Sequence, residues 1–207
     1  MNESSSIRTD IEAALDAHDR PAAIAAALDA VDSGAVTIDE LYRQLSGMLV
    51  DIGASWQRGE AEVWQEHFAS AVVRTIVESC ALRVEAAAPA ERPSTILFVA
   101  PADEFHDLGL RMLADRFTLA GWRSQILGAN VPLSQILEAT LALDADAVAL
   151  SASTHFHRTK LRAYTDALAT QRPDVRVWVG GPAFAHDHAG WEDLILDTAS
   201  IPAPGAA

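Results

Sequence analysis

From residue 95 onward the sequence alternates short strand-like runs with stretches of helical length, and few folds accommodate that alternation. Strands are expected at 95–100, 122–127, 147–151 and 175–179, with 194–197 as a last edge strand. Helices are expected at 107–120, from Pro132, and at 159–170. Buried strands alternating with helices imply a parallel sheet covered on both faces. About five strands is the flavodoxin-like, Rossmann-type count, with the usual order 2-1-3-4-5.

In that order the carboxyl ends of the first, third and fourth strands line one crevice, where open α/β sheets bind ligands. The first of these ends carries Glu104-Phe105-His106-Asp107-Leu108-Gly109. A histidine can bind a metal through one ring nitrogen while a carboxylate holds the other and fixes the tautomer. Gly109, beside the helix start, lets a large flat ligand approach the backbone. The second end carries Ser151, Ser153 and Thr154, and the third carries Gly180 and Gly181. One loop thus brings an imidazole, one hydroxyls and one bare backbone. That set suits a bulky ligand with a metal at its centre and a polar tail.

The first half has a different period. Two short helices are expected between residues 7 and 32, the second capped by Asp19 with Pro21 in its first turn. Thr37 and Glu40 form a capping box. The helix it opens carries Ile38, Leu41, Leu45, Met48, Leu49, Ile52 and Trp56 on one stripe. A long helix is expected over 60–87, with Trp64, Phe68, Val72, Thr75 and Ile76 on one side. These helices suggest a small bundle over 7–88, followed by a Pro/Ala linker and an α/β domain over 94–199. The tail, 200–207, is rich in Pro, Gly and Ala and is expected to fray.

The formal net charge is -14, and the 15 basic residues form no cluster, which argues against direct nucleic-acid binding and against anionic membranes. The single cysteine, Cys80, lies in a helical pattern and reads as a small buried hydrophobe. No basic stretch followed by an apolar one opens the chain, and no run reaches membrane-spanning length, so a cytoplasmic protein is expected.

Residues 95–197 resemble the cobalamin-binding (vitamin B12) domain of corrinoid enzymes and sensors. The family's D/E-x-H-x-x-G motif matches Glu104, His106 and Gly109; its serine motif matches Ser151 and Ser153; its Gly-Gly motif matches Gly180 and Gly181. The resemblance implies that His106 replaces the cofactor's dimethylbenzimidazole as lower cobalt ligand, with Glu104 on its other nitrogen. Ser151 and Ser153 would receive the nucleotide tail beside the two glycines.

In the helical half, Trp56, nine residues and Glu66-His67 form W-x9-E-H. This resembles the cobalamin-dependent light sensors that repress carotenoid genes, in which a four-helix bundle caps the upper face of adenosylcobalamin. The resemblance implies that Trp56 packs over the adenosyl group and Glu66 hydrogen-bonds it, with His67 close by; Trp56 can also be read as core and Glu66 as a solvated residue. Two departures stand out. Only residues 1–6 precede the bundle, so no DNA-binding domain of its own is expected. The histidine that follows the Trp in those sensors and captures cobalt after photolysis is Gln57 here.

The expected function is therefore light sensing by adenosylcobalamin, a photoreceptor whose cobalt–carbon photolysis drives a conformational or oligomeric change. Output would pass through self-association or a separate effector protein. A variant resembles the photocobilins, which add a bilin (biliverdin). A rival from another class is the corrinoid carrier of methyltransferases. Thr154-His155-Phe156-His157 reads either as a polar loop near the nucleotide tail or as a contact to a second ligand or partner. His155 and His157, like His186 and His188, have metal-binding spacing, but nothing supplies a third anchored ligand.

Overall fold

The computed structural model describes residues 3–205, with side chains from Ile7. It divides into two compact units, Met1–Ala86 and Ala87–Ala207.

The first unit is four helices: α1 (Glu3–Asp16), α2 (Arg20–Asp32), α3 (Ile38–Gln57) and α4 (Val63–Ala87). His18 adopts a left-handed φ of 56° just past α1, and Asp19 then caps α2 by accepting from the Ala22 N–H at 3.0 Å. Thr37 caps α3 by accepting from the Glu40 N–H at 3.1 Å. The second half of the expected capping box gives way to charge pairing, for the Glu40 carboxylate takes Arg43 and, at 3.1 Å, Gln44. The α3 stripe is buried from Ile38 to Met48, half-buried at Leu49 and Ile52, and exposed at Trp56.

On α4 the buried face is Ala69, Val72, Val73, Ile76, Val77, Cys80 and Val84. The expected face is corrected at its start: Trp64 is exposed, and Phe68 and Thr75 are half-buried. A helix turns 100° per residue, so the row through Val73, Ile76 and Cys80 faces inward while Trp64 lies off it. Trp64 meets His18 at a tilt instead, ring centroids 5.3 Å apart. Cys80 is fully buried and unbridged.

The second unit holds β1 (Thr95–Pro101), α5 (Leu108–Leu119), β2 (Arg123–Val131), α6 (Leu133–Ala142), β3 (Ala147–Ser151), α7 (His155–Gln171) and β4 (Arg176–Gly180). The sheet is parallel, in the order β2-β1-β3-β4. Side chains alternate across it. Leu97, Val99, Val148 and Leu150 pack under Ile136 of α6 and Leu161 and Leu168 of α7. Ile96, Phe98, Ala149 and Trp178 pack under Leu110 and Phe117 of α5. The fifth strand expected at 194–197 reduces to one bridge, Val179 to Ile195, because the segment leaves the sheet after a single pairing.

Two further differences concern lengths. β2 runs to Val131 through a bulge: Phe98 pairs with Ile126 but Val99 with Gly128, whose φ is 81°. The tail is docked through Pro202, whose carbonyl accepts from the buried Trp122 indole at 2.7 Å, while Ile201 packs on the adjoining core. A buried indole N–H needs an acceptor, and the tail supplies it.

Candidate cofactor-binding site

The loops after β1, β3 and β4 gather at the carboxyl edge of the sheet, and Glu104 stands at their centre. Its side chain is 0% exposed. Oε1 accepts from the His106 backbone N–H at 3.0 Å and faces His106 Nδ1 at 2.7 Å. Oε2 accepts from the Ser153 N–H at 2.7 Å and from the Ser153 hydroxyl at 2.6 Å. Burial pushes the carboxyl up, but the Ser153 hydroxyl, the His106 and Ser153 backbone N–H groups and the His106 ring outweigh it. Glu104 is held at about 2, against an ordinary 4.5. It is therefore an anion, and an anionic carboxylate only accepts. The His106 nitrogen that faces it, Nδ1, thus carries a hydrogen, and Nε2 is the nitrogen left outside the pair. The ring is 76% exposed, so the loop presents a fixed tautomer to whatever lies above the sheet.

This depressed value has a consequence for stability. The Glu104 contribution is fully present above pH 4.5 and is lost as pH falls through about 2. The melting-temperature difference between the wild type and Glu104→Gln, measured from pH 7 to pH 3, should therefore be constant above pH 4.5 and shrink steadily below it. A constant difference over the whole range would contradict the assignment.

The other expected residues divide into those this edge gathers and those it does not. Asp107 is buried at the N-terminus of α5 and accepts from Arg111 Nε at 3.1 Å. Gly109, in the first turn of α5, has open space where a Cβ would stand, and so does Gly180 at the end of β4. Among the described residues, no atom beyond their own chain neighbours or helix lies within 4 Å of either Cβ position. Gly181 differs. Its φ is 99°, and a Cβ there would lie 2.5 Å from the Ala152 carbonyl oxygen and 2.6 Å from Ser151 Oγ. Ser151 ends β3 opposite Gly180. Thr154 caps α7, accepting from the His157 N–H at 3.3 Å.

Trp56, Glu66 and His67 lie in the helical unit. Trp56, near the end of α3, is 45% exposed, an unusual state for so large an apolar ring. Glu66, in the first turn of α4, accepts from the Ser70 hydroxyl at 2.6 Å and pairs with His67 Nδ1. His67 itself is exposed.

Four residues that the sequence reading left out of the site also belong to it. Asn130, at the end of β2 with a left-handed φ of 58°, braces the His106 loop at two points. Its N–H donates to the Glu104 carbonyl at 2.9 Å, and its side-chain oxygen accepts from the Asp103 N–H at 2.9 Å. Phe105, next to His106 in the sequence, and Phe156, in the first turn of α7, are exposed aromatics. His157 is only 13% exposed, and its Nδ1 lies 2.8 Å from Glu104 Oε2. The polar loop expected at Thr154-His155-Phe156-His157 is instead the cap and first turn of α7. Thr154 provided the signal, as a cap residue whose side chain takes an N–H three residues on.

This geometry suits a metal-centred ligand above His106. One imidazole is held at Nδ1 and exposed beyond it, and two glycines open onto space.

Comparison with known proteins follows the same line. Residues 94–201 match the family model of the B12 binding domain, and residues 7–80 match a second model of the same description. The HTH-type transcriptional repressor CarH of Myxococcus xanthus is 32% identical over 193 residues, which are 91% of this chain and 62% of that protein. The chain therefore spans less than two thirds of that relative's length. The repressor CarA of the same organism is 32% identical over 90 residues, 44% of this chain and 30% of CarA. The structure of the monomethylamine corrinoid protein of Methanosarcina barkeri shares the fold, with a TM-score of 0.77 at 16% identity over 93% of this chain and 91% of that one. The chain belongs to the B12-binding family, its α/β unit matching the B12 binding domain and its helical unit the second B12-binding model.

Proposed function

We propose that this protein is a light sensor whose ligand is adenosylcobalamin. The observation that carries the reading is the His106 ring, held at Nδ1 by the fully buried Glu104 and exposed at Nε2. Such an imidazole serves as the lower cobalt ligand, and its carboxylate partner raises its basicity. Ser151 and the open backbone at Gly180 receive the nucleotide tail, together with Thr154 and Gly181. Ser153 acts chiefly by anchoring Glu104, to which both its N–H and its hydroxyl are committed. Asp107 and Gly109 shape the loop beside the ring.

Bound adenosylcobalamin supplies a cobalt–carbon bond that visible light breaks. The residues of the helical unit assigned to the adenosyl group are Trp56 and Glu66, with His67 beside them. Trp56 brings apolar ring surface, and the hydrogen bonds Glu66 now makes to Ser70 and His67 hold its carboxylate ready in one rotamer. An element that binds one state of a ligand and not the other changes its own equilibrium when the ligand changes. Support for sensing rather than methyl carriage comes from the W-x9-E-H spacing and from 32% identity to a transcriptional repressor over 91% of this chain.

The test is Trp56→Ala. The variant should keep cobalamin, since the His106 loop is untouched. Its preference for the adenosyl over the methyl form should fall by about tenfold, the equivalent of ~1.4 kcal/mol. Equal weakening of every cobalamin form would make Trp56 a packing residue only. Turnover with a methyl donor would favour the carrier, and a stable visible band with added biliverdin would favour the bilin variant.

A further inference from the structure

Three side chains of α7, at successive turns of one face, reach the loop that carries His106. Tyr164 Oη accepts from the Ala102 N–H at 3.1 Å, Lys160 pairs with Asp103, and His157 Nδ1 stands 2.8 Å from Glu104 Oε2. The spacing 157, 160, 164 is that of one helical face. His157 is therefore set against the carboxylate by the register of the whole helix and by the Thr154 cap at its own backbone N–H. Glu104 thus has an imidazole on each oxygen, His106 on Oε1 and His157 on Oε2. Because the carboxylate only accepts, Nδ1 of His157 carries its hydrogen too, and that hydrogen is shared with Thr154 Oγ1, 3.0 Å from the same nitrogen.

We propose that His157 is a positioning residue for His106: it shares the Glu104 carboxylate with it and thereby limits how much of the negative charge His106 receives. The reasoning rests on what else holds Glu104. Ser153 fixes Oε2 through two hydrogen bonds of 2.7 and 2.6 Å, so the carboxylate stays in place when His157 is changed. What changes is the distribution of its charge. With one donor fewer, the remaining ones, including His106 Nδ1–H, are bound more strongly. A more strongly held Nδ1–H makes Nε2 a better donor to a metal. His157 is in this sense a moderator of the ring, distinct from Ser153, which is its anchor. The inference depends on His106 being the cobalt-facing ligand only in its second readout.

The experiment compares the full chain with His157→Phe, which keeps a ring of similar size and removes the N–H, and with His157→Asn, which replaces the Nδ1–H by an amide N–H. The first readout is the His106 Nδ1 proton resonance in cofactor-free protein. It should move downfield in His157→Phe and return toward the wild-type position in His157→Asn. The second is hydroxocobalamin affinity. It should rise in His157→Phe by about three- to tenfold, less than the roughly ten- to hundredfold scale of changing a ligand's direct partner. It too should return in His157→Asn. An unchanged proton resonance in His157→Phe, or an upfield move, overturns the proposal. So does a loss of affinity shared by both variants, which would mark His157 as merely structural. Should His157→Phe not fold, His157→Ala takes its place with the same expectations. If the resonance moves as expected while His106→Ala leaves hydroxocobalamin binding unchanged, the coupling stands and the ligand assignment of His106 fails.

Discussion

Replacing His106 by alanine is expected to lower cobalamin affinity by about two orders of magnitude, the loss that follows when a metal ligand and its oriented partner are separated. The chain should otherwise tolerate the change. The ring is 76% exposed and contributes little to packing. Glu104 keeps the His106 backbone N–H and both bonds from Ser153, so it is not left with an empty oxygen. Melting temperature should stay within about 3 °C of wild type, as for other exposed substitutions. Spectrophotometric titration with hydroxocobalamin is the direct check. Wild-type affinity together with a wild-type spectrum would remove His106 from the cobalt.

The second large effect concerns folding. Gly181→Ala should destabilise the protein by about 2–4 kcal/mol, adding the strain of a left-handed residue to a steric conflict. The φ of 99° is one that side chains rarely adopt, and the obstructing Ala152 oxygen belongs to the backbone, which cannot rotate away. The same oxygen accepts from the Ala183 N–H at 3.1 Å, so moving it also breaks a hydrogen bond. Gly180→Ala is the natural control. No atom stands within 4 Å of its Cβ position, so folding should be nearly unaffected while cobalamin binding weakens. Denaturant unfolding of the two cofactor-free variants separates them. Equal stability would mean that the turn relaxes around an alanine.

These two glycines also show what a sequence can and cannot convey. Gly180-Gly181 reads as bare backbone for a ligand, and the pair does lie at the sheet's carboxyl edge. That one glycine answers to the chain's own packing and the other to open space needs coordinates. Glu104 and His106 were legible because two residues of spacing after an apolar strand already fix their proximity. Ser153 was legible as a polar residue at the right strand end, but its bond to Glu104 spans 49 positions and depends on β1 and β3 being neighbours.

His157 and Asn130 were harder for related reasons. His157 belongs to a first helical turn without apolar periodicity, so its face could be assigned only once Thr154 was known to cap α7. Asn130 lies beyond a bulge that carries β2 past the expected strand end at Leu127, and its bond to Asp103 spans 27 positions. In the helical unit, the α3 stripe continued on paper through Trp56, whereas burial ends near Met48 and leaves the indole exposed. Periodicity reports which residues share a face; it does not report where the partner of that face stops.

The most direct test of the light-sensing account is the absorption spectrum of the purified chain loaded with adenosylcobalamin, recorded in darkness and after green light. The account predicts retention of the adenosyl form in the dark, with the spectrum of histidine-bound, dimethylbenzimidazole-free cobalamin. After illumination it predicts loss of the adenosyl group and a changed conformation or association state in the same sample. A dark spectrum identical to that of free adenosylcobalamin, or a bound spectrum followed by no change in conformation or association after photolysis, would contradict it.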